Sequence, residues 1–164
     1  MNELSLILSE ILLTSFVCLV LIVDVFRSPD NSAATFWSAV ISVLAVAAFL
    51  IIGGLPEIRQ TAFAETYVLD SLSVTLKIFL LLVVAASFFY AREYFTNKNL
   101  ERNEFFILAI FSTLGMMVLI SAQSLLTVYL GLELLSLSLY AMVAMERDSV
   151  AAAEAAMKYF VLGA

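Results

Sequence analysis

Five stretches of this chain are apolar for as long as a lipid bilayer is thick, which restricts its possible folds more than any other feature. A helix needs about 20 apolar residues to cross a ~30 Å hydrocarbon core. Residues 4–25, 34–52 and 69–91 meet that need, and residues 105–132 continue without a single charge. The last run is too long for one span. Polar "SAQS" at 121–124 divides it into 105–122 and 125–145. Gly53, Gly54 and Pro56 stop the second span, as a Gly pair followed by Pro does. A sixth helix opens at Ser149 after "MERD", Ser or Asp being a suitable N-cap, and is still apolar at Ala164. The sequence thus predicts an all-α integral membrane protein. It is a multi-helix transmembrane bundle with five complete transmembrane helices and the start of a sixth, truncated at its C-terminal end.

Composition agrees. Hydrophobic residues make up 63% and charged residues 13% of the chain, against about 45–50% and 25% in soluble domains. A net charge of −6 argues against a nucleic-acid partner, which needs a basic face. The single cysteine, Cys18, excludes an internal disulfide and a cysteine-rich metal or iron–sulfur site. It reads as a small apolar residue. With no histidine, His haem ligation and His proton relays are excluded too. The first stretch carries Glu3 and Glu10, has no Lys or Arg before it and no small-x-small cleavage site after it. It reads as a retained helix.

Basic residues set the expected orientation. Arg27, Arg92, Lys98, Arg102 and Arg147 lie in the loops after the first, third and fifth helices, and only Arg59 lies in the loop after the second. The positive-inside rule then puts the N-terminus outside, in the periplasm.

Ionisable groups inside apolar helices are costly and therefore informative. Glu133 interrupts "GLELLSLSLYAM" in the fifth helix, and Lys158 lies in the sixth. At about 1.5 Å per residue they lie roughly 21 and 17 Å from the turn joining their helices, near the midplane. Glu154 precedes Lys158 by four residues, the favourable order for a helical ion pair. Tyr129, Ser136 and Tyr140 share a face with Glu133 and form a polar stripe able to hold water. One reading is a buried Glu133–Lys158 pair that only sets helix register. The other is a proton or ion path, because desolvated acids and amines have movable affinities for protons. Glu10, Asp24 and the couple Asp70/Lys77 are weaker candidates that snorkel or pair locally, with Asp70 and Lys77 as possible auxiliaries. "GMM" at 115–117 and the Phe-rich faces read as lipid contact and packing.

The stretch "LGLELLSLSLYAMVAMERDSVAAAEAAMKYFVLGA" resembles the fifth- and sixth-helix region of the antiporter-like subunits of respiratory complex I, bacterial NADH–quinone oxidoreductase. "YVLDSLSVTLKIFLLL" resembles the third helix of that family, with its Asp and Lys seven residues apart. The likeness spans most of residues 67–164, whereas the first 60 match in hydropathy only. It implies a many-helix fold of inverted repeats, associated with proton translocation coupled to distant quinone reduction. By resemblance, Glu133 is the family's fifth-helix glutamate and Lys158 its sixth-helix lysine. Residues 1–104 are then three N-terminal helices and 105–164 the first part of the antiporter-like repeat. Ser138 departs from the Pro that many relatives carry, and the family's further channel lysines lie beyond Ala164. The resemblance also implies partners, the other membrane subunits of complex I, in a bacterial inner membrane. It implies no cofactor on this chain: the whole complex uses NADH and quinone, and its flavin and iron–sulfur clusters sit in other subunits. A related cation/proton antiporter or hydrogenase subunit, and a purely structural membrane subunit, are the alternatives.

Overall fold

Hydrophobicity decides where the helices run, and the polar breaks decide where they stop. The computed structural model describes residues 3–26, 32–97, 103–146 and 149–163. A single turn, α1 (Glu3–Leu6), leads into α2 (Leu8–Val25), which is followed by α3 (Ser32–Gly53). A small antiparallel hairpin comes next, β1 (Gln60–Ala62) and β2 (Tyr67–Leu69), paired Gln60 to Leu69 and Ala62 to Tyr67. Then come α4 (Ser71–Asn97), α5 (Asn103–Ile120), α6 (Leu125–Val143) and α7 (Val150–Gly163). Five of these helices, α2 to α6, are long and apolar enough to cross a membrane. Arg27, Lys98, Arg102 and Arg147, on which the expected orientation mostly rests, lie outside the described residues.

The boundaries follow local chemistry. The apolar run from 105 breaks at 121–124, and Ser124 caps α6 by accepting a hydrogen bond from the Thr127 amide at 3.1 Å. Ser149 does the same for α7 through the Ala152 amide. Two boundaries differ from expectation. Leu69 ends a strand instead of opening a helix, and α4 begins two residues later because Asp70 caps it. At its other end α4 continues to Asn97, so it is about 40 Å long and overhangs a ~30 Å core.

α2, α3, α4 and α5 pack around a core that includes Leu13, Val17, Phe36, Val43, Leu81, Ile110 and Met117. At the end away from the hairpin, Phe36, Phe88, Phe89 and Phe106 meet edge to face, and the Arg92 guanidinium lies 4.4 Å above the Phe36 ring. Many outward positions are large and apolar, Leu19, Ile22, Ile41, Phe79 and Leu82 among them, as a lipid-facing surface requires. α6 lies against α5, and α7 against α6.

The α5–α6 approach is backbone to backbone. A Cβ on Gly115 would sit 2.7 Å from the Leu135 amide nitrogen and 2.9 Å from the Gly131 carbonyl oxygen. One on Gly131 would sit 2.8 Å from the Leu119 side chain and 3.1 Å from the Gly115 carbonyl oxygen. Facing glycines allow such contact within a membrane, where close packing holds helices together. "GMM" is thus packing and not lipid contact at Gly115 and Met117, both buried. α6 passes Ser138 without a break, the Ser138 hydroxyl donating to the Leu134 carbonyl at 2.7 Å.

Gly115→Val must push α6 away, and overpacking of this kind costs about 1–3 kcal/mol. Thermal unfolding in detergent should therefore show a lower midpoint for Gly115→Val, while Gly53→Ala, which meets nothing within 4 Å, leaves it within error.

A buried acid–lysine–tyrosine cluster as candidate functional site

The most demanding group in the molecule is Lys77, two turns into α4 and with 0% of its surface exposed. A buried ammonium needs a counter-charge and hydrogen-bond acceptors. It finds both. Its Nζ donates to Glu10 Oε1 at 2.6 Å and to the Tyr67 hydroxyl oxygen at 2.7 Å. The Tyr67 hydroxyl in turn donates to Glu10 Oε1 at 2.8 Å, closing a triangle. Ser9 donates to the other carboxylate oxygen, Glu10 Oε2, at 2.8 Å. The three corners come from α2, β2 and α4.

Glu10 and Lys77 were expected to snorkel or to pair locally, and the structure corrects this. Their partner is each other, across 67 residues of sequence. A sequence signal existed: both lie within the first two turns of helices that start from the same side of the bundle. Tyr67 was missed because its hairpin was missed. Burial drives the pKa of its hydroxyl well above the ordinary phenol value, and the negative charge of Glu10 adds to that. Tyr67 therefore stays a neutral phenol, able to accept from Lys77 while donating to Glu10.

The hairpin that delivers Tyr67 is held at its back by the α5–α6 link. The Val68 amide donates to the Ser121 carbonyl at 2.8 Å, and the Gln123 amide to the Thr66 carbonyl at 3.0 Å. Tyr67 also bridges to Ala122. Its turn is strained: Phe63, Ala64 and Glu65 have φ of 54°, 54° and 65°, a left-handed run costing about 1–2 kcal/mol per residue. Such a turn persists when its surroundings over-determine it. The link behind and the ion pair in front do so here.

Asp70 is a cap. Its Oδ1 accepts from the Ser73 amide at 2.7 Å, and the Ser73 hydroxyl accepts from the Asp70 amide at 2.9 Å. The Ser73 amide lowers the Asp70 pKa below the ordinary carboxylate value, with a further contribution from the Arg59 charge. Asp24 accepts a hydrogen bond from Thr35 on α3 at 2.7 Å.

The residues singled out in the last two helices are arranged differently. Glu133 is half-buried on α6, and among the described residues its carboxylate makes no hydrogen bond or ion pair. Lys158 bonds Glu154 at 2.6 Å, one helical turn away, with side chains 68% and 63% exposed. A buried Glu133–Lys158 pair is therefore not what the structure contains. The physical reason is that α7 packs extensively only on α6 among the described elements, leaving its other faces open. The Ser136 hydroxyl donates to the Glu133 backbone carbonyl at 3.2 Å, so it stays on the helix. Tyr129 is exposed, whereas Tyr140 stacks edge-on against Phe160 of α7, its hydroxyl over Gly163.

Comparison with known proteins fits this arrangement of membrane helices. The family described as NADH:quinone oxidoreductase/Mrp antiporter, TM, matches residues 122–164, which carry Glu133, Glu154 and Lys158. The chain is 42% identical over 158 residues to NADH-quinone oxidoreductase subunit N of Thioalkalivibrio sulfidiphilus, covering 96% of this chain and 33% of that one. It is 47% identical over 157 residues to subunit N of Thiobacillus denitrificans, covering 96% and 32%. In structure it matches a chain of respiratory complex I from Thermus thermophilus, solved with bound aureothin. The TM-score is 0.70 at 24% identity, over 94% of this chain and 32% of that chain. The fold belongs to the class seen in complex I membrane subunits, built on membrane-spanning helices. Within that class the chain is a relative of NADH-quinone oxidoreductase subunit N, matching its N-terminal part. It spans about a third of the length of the curated relatives it matches.

The Asp70 cap carries a pH signature. Because its folded pKa is depressed, its stabilisation is fully present above the ordinary carboxylate range near ~3.9 and is lost as pH falls through the depressed value. Protection of the Leu72 and Ser73 amides, as the exchange rate relative to an unstructured peptide at the same pH, should therefore fall in acid. Asp70→Asn should flatten that dependence, and Asp70→Ala should remove about 0.5–2 kcal/mol of helix-end stability at neutral pH.

Proposed function

We propose that this chain is the N-terminal part of a membrane subunit of NADH–quinone oxidoreductase that takes part in proton translocation coupled to quinone reduction. The observation that carries this reading is its likeness to subunit N over nearly its whole length, 42–47% identical in the first relatives. Residues 1–104 then form the three N-terminal helices and 105–164 open the antiporter-like repeat. The partners are the other membrane subunits of the complex, in a bacterial inner membrane. NADH and quinone are used by the whole assembly, flavin and iron–sulfur clusters belong to other subunits, and this chain binds no cofactor of its own.

Within this reading Glu133 is the proton-carrying group of α6, with Lys158 and Glu154 on α7 and with Tyr129, Ser136 and Tyr140 as polar support. What supports Glu133 is its position: a half-buried carboxylate in an apolar helix, without a fixed partner among the described residues. Such a group can respond to an approaching lysine, because a desolvated acid binds its proton according to the charges near it. Lys158 is bonded to Glu154 and reaches that role only if the pair opens or turns inward. A second reading, a cation/proton antiporter subunit, is favoured by the family description that names both types. It shares the acid–lysine chemistry and lacks quinone coupling.

Orientation is part of the proposal. α1, the hairpin and the α5–α6 link share one end of the bundle, and the distribution of basic residues favours the periplasm for that end. A single cysteine introduced beside Arg59 in the Cys18→Ser background should be labelled from the periplasmic side, and one beside Lys98 should not. The opposite pattern overturns the orientation.

Glu133→Gln preserves volume and cannot ionise. In the full-length subunit within the complex it should assemble to normal levels on native gels while proton pumping and quinone reduction fall sharply. Glu133→Asp should keep more activity than Gln. A Gln variant that assembles and pumps like the parent rules out an essential proton-transfer role for this carboxylate.

A further inference from the structure

The Glu10–Lys77–Tyr67 cluster lies outside the region carrying Glu133 and has no part in the reading above. Two features suggest more than a staple between helices. A buried ion pair is weak evidence for stability, because a well-packed apolar pair holds helices at least as well. And this pair is not sealed from water on every side. At the hairpin end a cleft of about 310 Å³ opens between α1, α3 and the hairpin, with Ser5, Ser9, Gln60 and Val74 in its lining. Ser9 both lines that cleft and donates to Glu10 Oε2. One hydroxyl therefore separates the carboxylate from space that water can enter.

On the far side of the cluster stands Ser121, in the α5–α6 link. Its hydroxyl is fully buried and lies close enough to that of Tyr67 to act on the phenol. A buried hydroxyl beside a phenol extends a hydrogen-bond line. The line runs from the cleft through Ser9, Glu10 and Tyr67 to the link that starts α6. The charged surroundings are few. Lys77 faces Glu10 from α4, Asp70 is near enough for its charge to reach Lys77, and Arg59 reaches Asp70. α1 adds Glu3, α3 has no ionisable side chain, and the only one in α5 is Glu104, at the opposite end of that helix.

We propose that Glu10, Lys77 and Tyr67 form a proton-binding site that exchanges with the cleft through Ser9, and that its occupancy sets how firmly the hairpin and the α5–α6 link are seated. The proton balance is simple. A hydronium ion in the cleft gives a proton to the Ser9 hydroxyl oxygen and is left as water, while Ser9 passes its own proton to Glu10 Oε2. Glu10 becomes neutral, Lys77 keeps its charge, and the cluster gains one positive charge. Neutral Glu10 no longer binds Lys77 as a counter-ion, so the triangle that holds Tyr67 loosens. The strained turn then has less to hold it, and the link that ends in the Ser124 cap of α6 gains freedom. Release of the proton to the cleft restores the pair. As a second function of the same subunit, this rests on the proposed role in proton translocation.

The decisive experiment replaces the charges without leaving one unpaired. Glu10→Gln with Lys77→Met, in the full-length subunit of the assembled complex, is compared with the parent in two ways. Infrared difference spectra across a pH step in H2O and D2O report a titrating carboxyl group directly, independently of pumping. Proton uptake per NADH oxidised, measured over a pH range, reports its use. The expected result is normal assembly, loss of one titrating carboxyl band and a several-fold fall in uptake with a displaced pH profile. Normal assembly with unchanged spectra and an unchanged profile overturns the proposal and leaves the pair as a staple. If spectra change while uptake is unaffected, the site binds a proton but does not control the link, and the second half of the proposal falls. Tyr67→Phe keeps the ion pair and removes only the hydroxyl that ties it to the hairpin, so it covers the case in which the double variant fails to assemble. It should assemble and displace the pH profile, and an unchanged profile overturns the proposal. Failure of Glu133→Gln to affect pumping would instead strike the functional reading, while the infrared band tests this site alone.

Discussion

An ammonium group with no exposed surface, two turns inside a membrane-spanning helix, cannot stand alone. Lys77 requires an acid and further acceptors within hydrogen-bond reach, and each of them has to be delivered by a separate element. Glu10 arrives because α2 and α4 start from the same end of the bundle, each packed against α3 and α5. Tyr67 arrives because three residues of strand pair with three others just before α4 begins. The hairpin in turn needs something to pair with, and the break between α5 and α6 supplies free backbone groups where an apolar interior has no water to satisfy them. One buried charge thus joins the N-terminal helices to the helix that bears Glu133.

The same logic explains why polar backbone is tolerated at this end. Residues 121–124 leave the helical ladder, and the carbonyl of Ser121 takes a hydrogen bond from β2 instead. The link is too short to cross anything and too polar to be left against lipid. Pairing it with the hairpin solves both problems and fixes the start of α6. Ser124 then caps the helix, and Gly131 seats it on Gly115. The position of Glu133 follows from these contacts, two residues beyond the glycine that sets the approach.

How much of this was readable in the sequence depends on the range of each interaction. The spans and the division at "SAQS" are local, and apart from the far end of α4, which runs six residues on, the helices begin and end within a few residues of where hydropathy puts them. The hairpin was not readable. Its turn, "FAET", holds none of the Gly or Asn residues that announce a reversal, and its strands are three residues long. Lys77 was read against Asp70 on its own helix because helical spacing relates near neighbours only, while its true partner lay on another helix. The depth comparison applied to Glu133 and Lys158 would have paired Glu10 with Lys77 had it been applied to the first and third helices. For Lys158 that comparison erred the other way: equal depth does not choose the face of the helix, and Lys158 turns to Glu154 on an open side of α7.

The two acids of this chain therefore stand in opposite electrostatic situations. Glu10 is held by an ammonium, a phenol and a hydroxyl, and its negative charge is compensated before anything else happens. Glu133 has a similar apolar helix around it and no such compensation among the described residues. A paired acid gives up its ion pair when it takes up a proton, whereas an unpaired one has no such pair to lose. If both carry protons, Glu10 is suited to gating and Glu133 to transfer. The hairpin and the α5–α6 link, which touch the first and start the helix of the second, are the physical route by which one could govern the other.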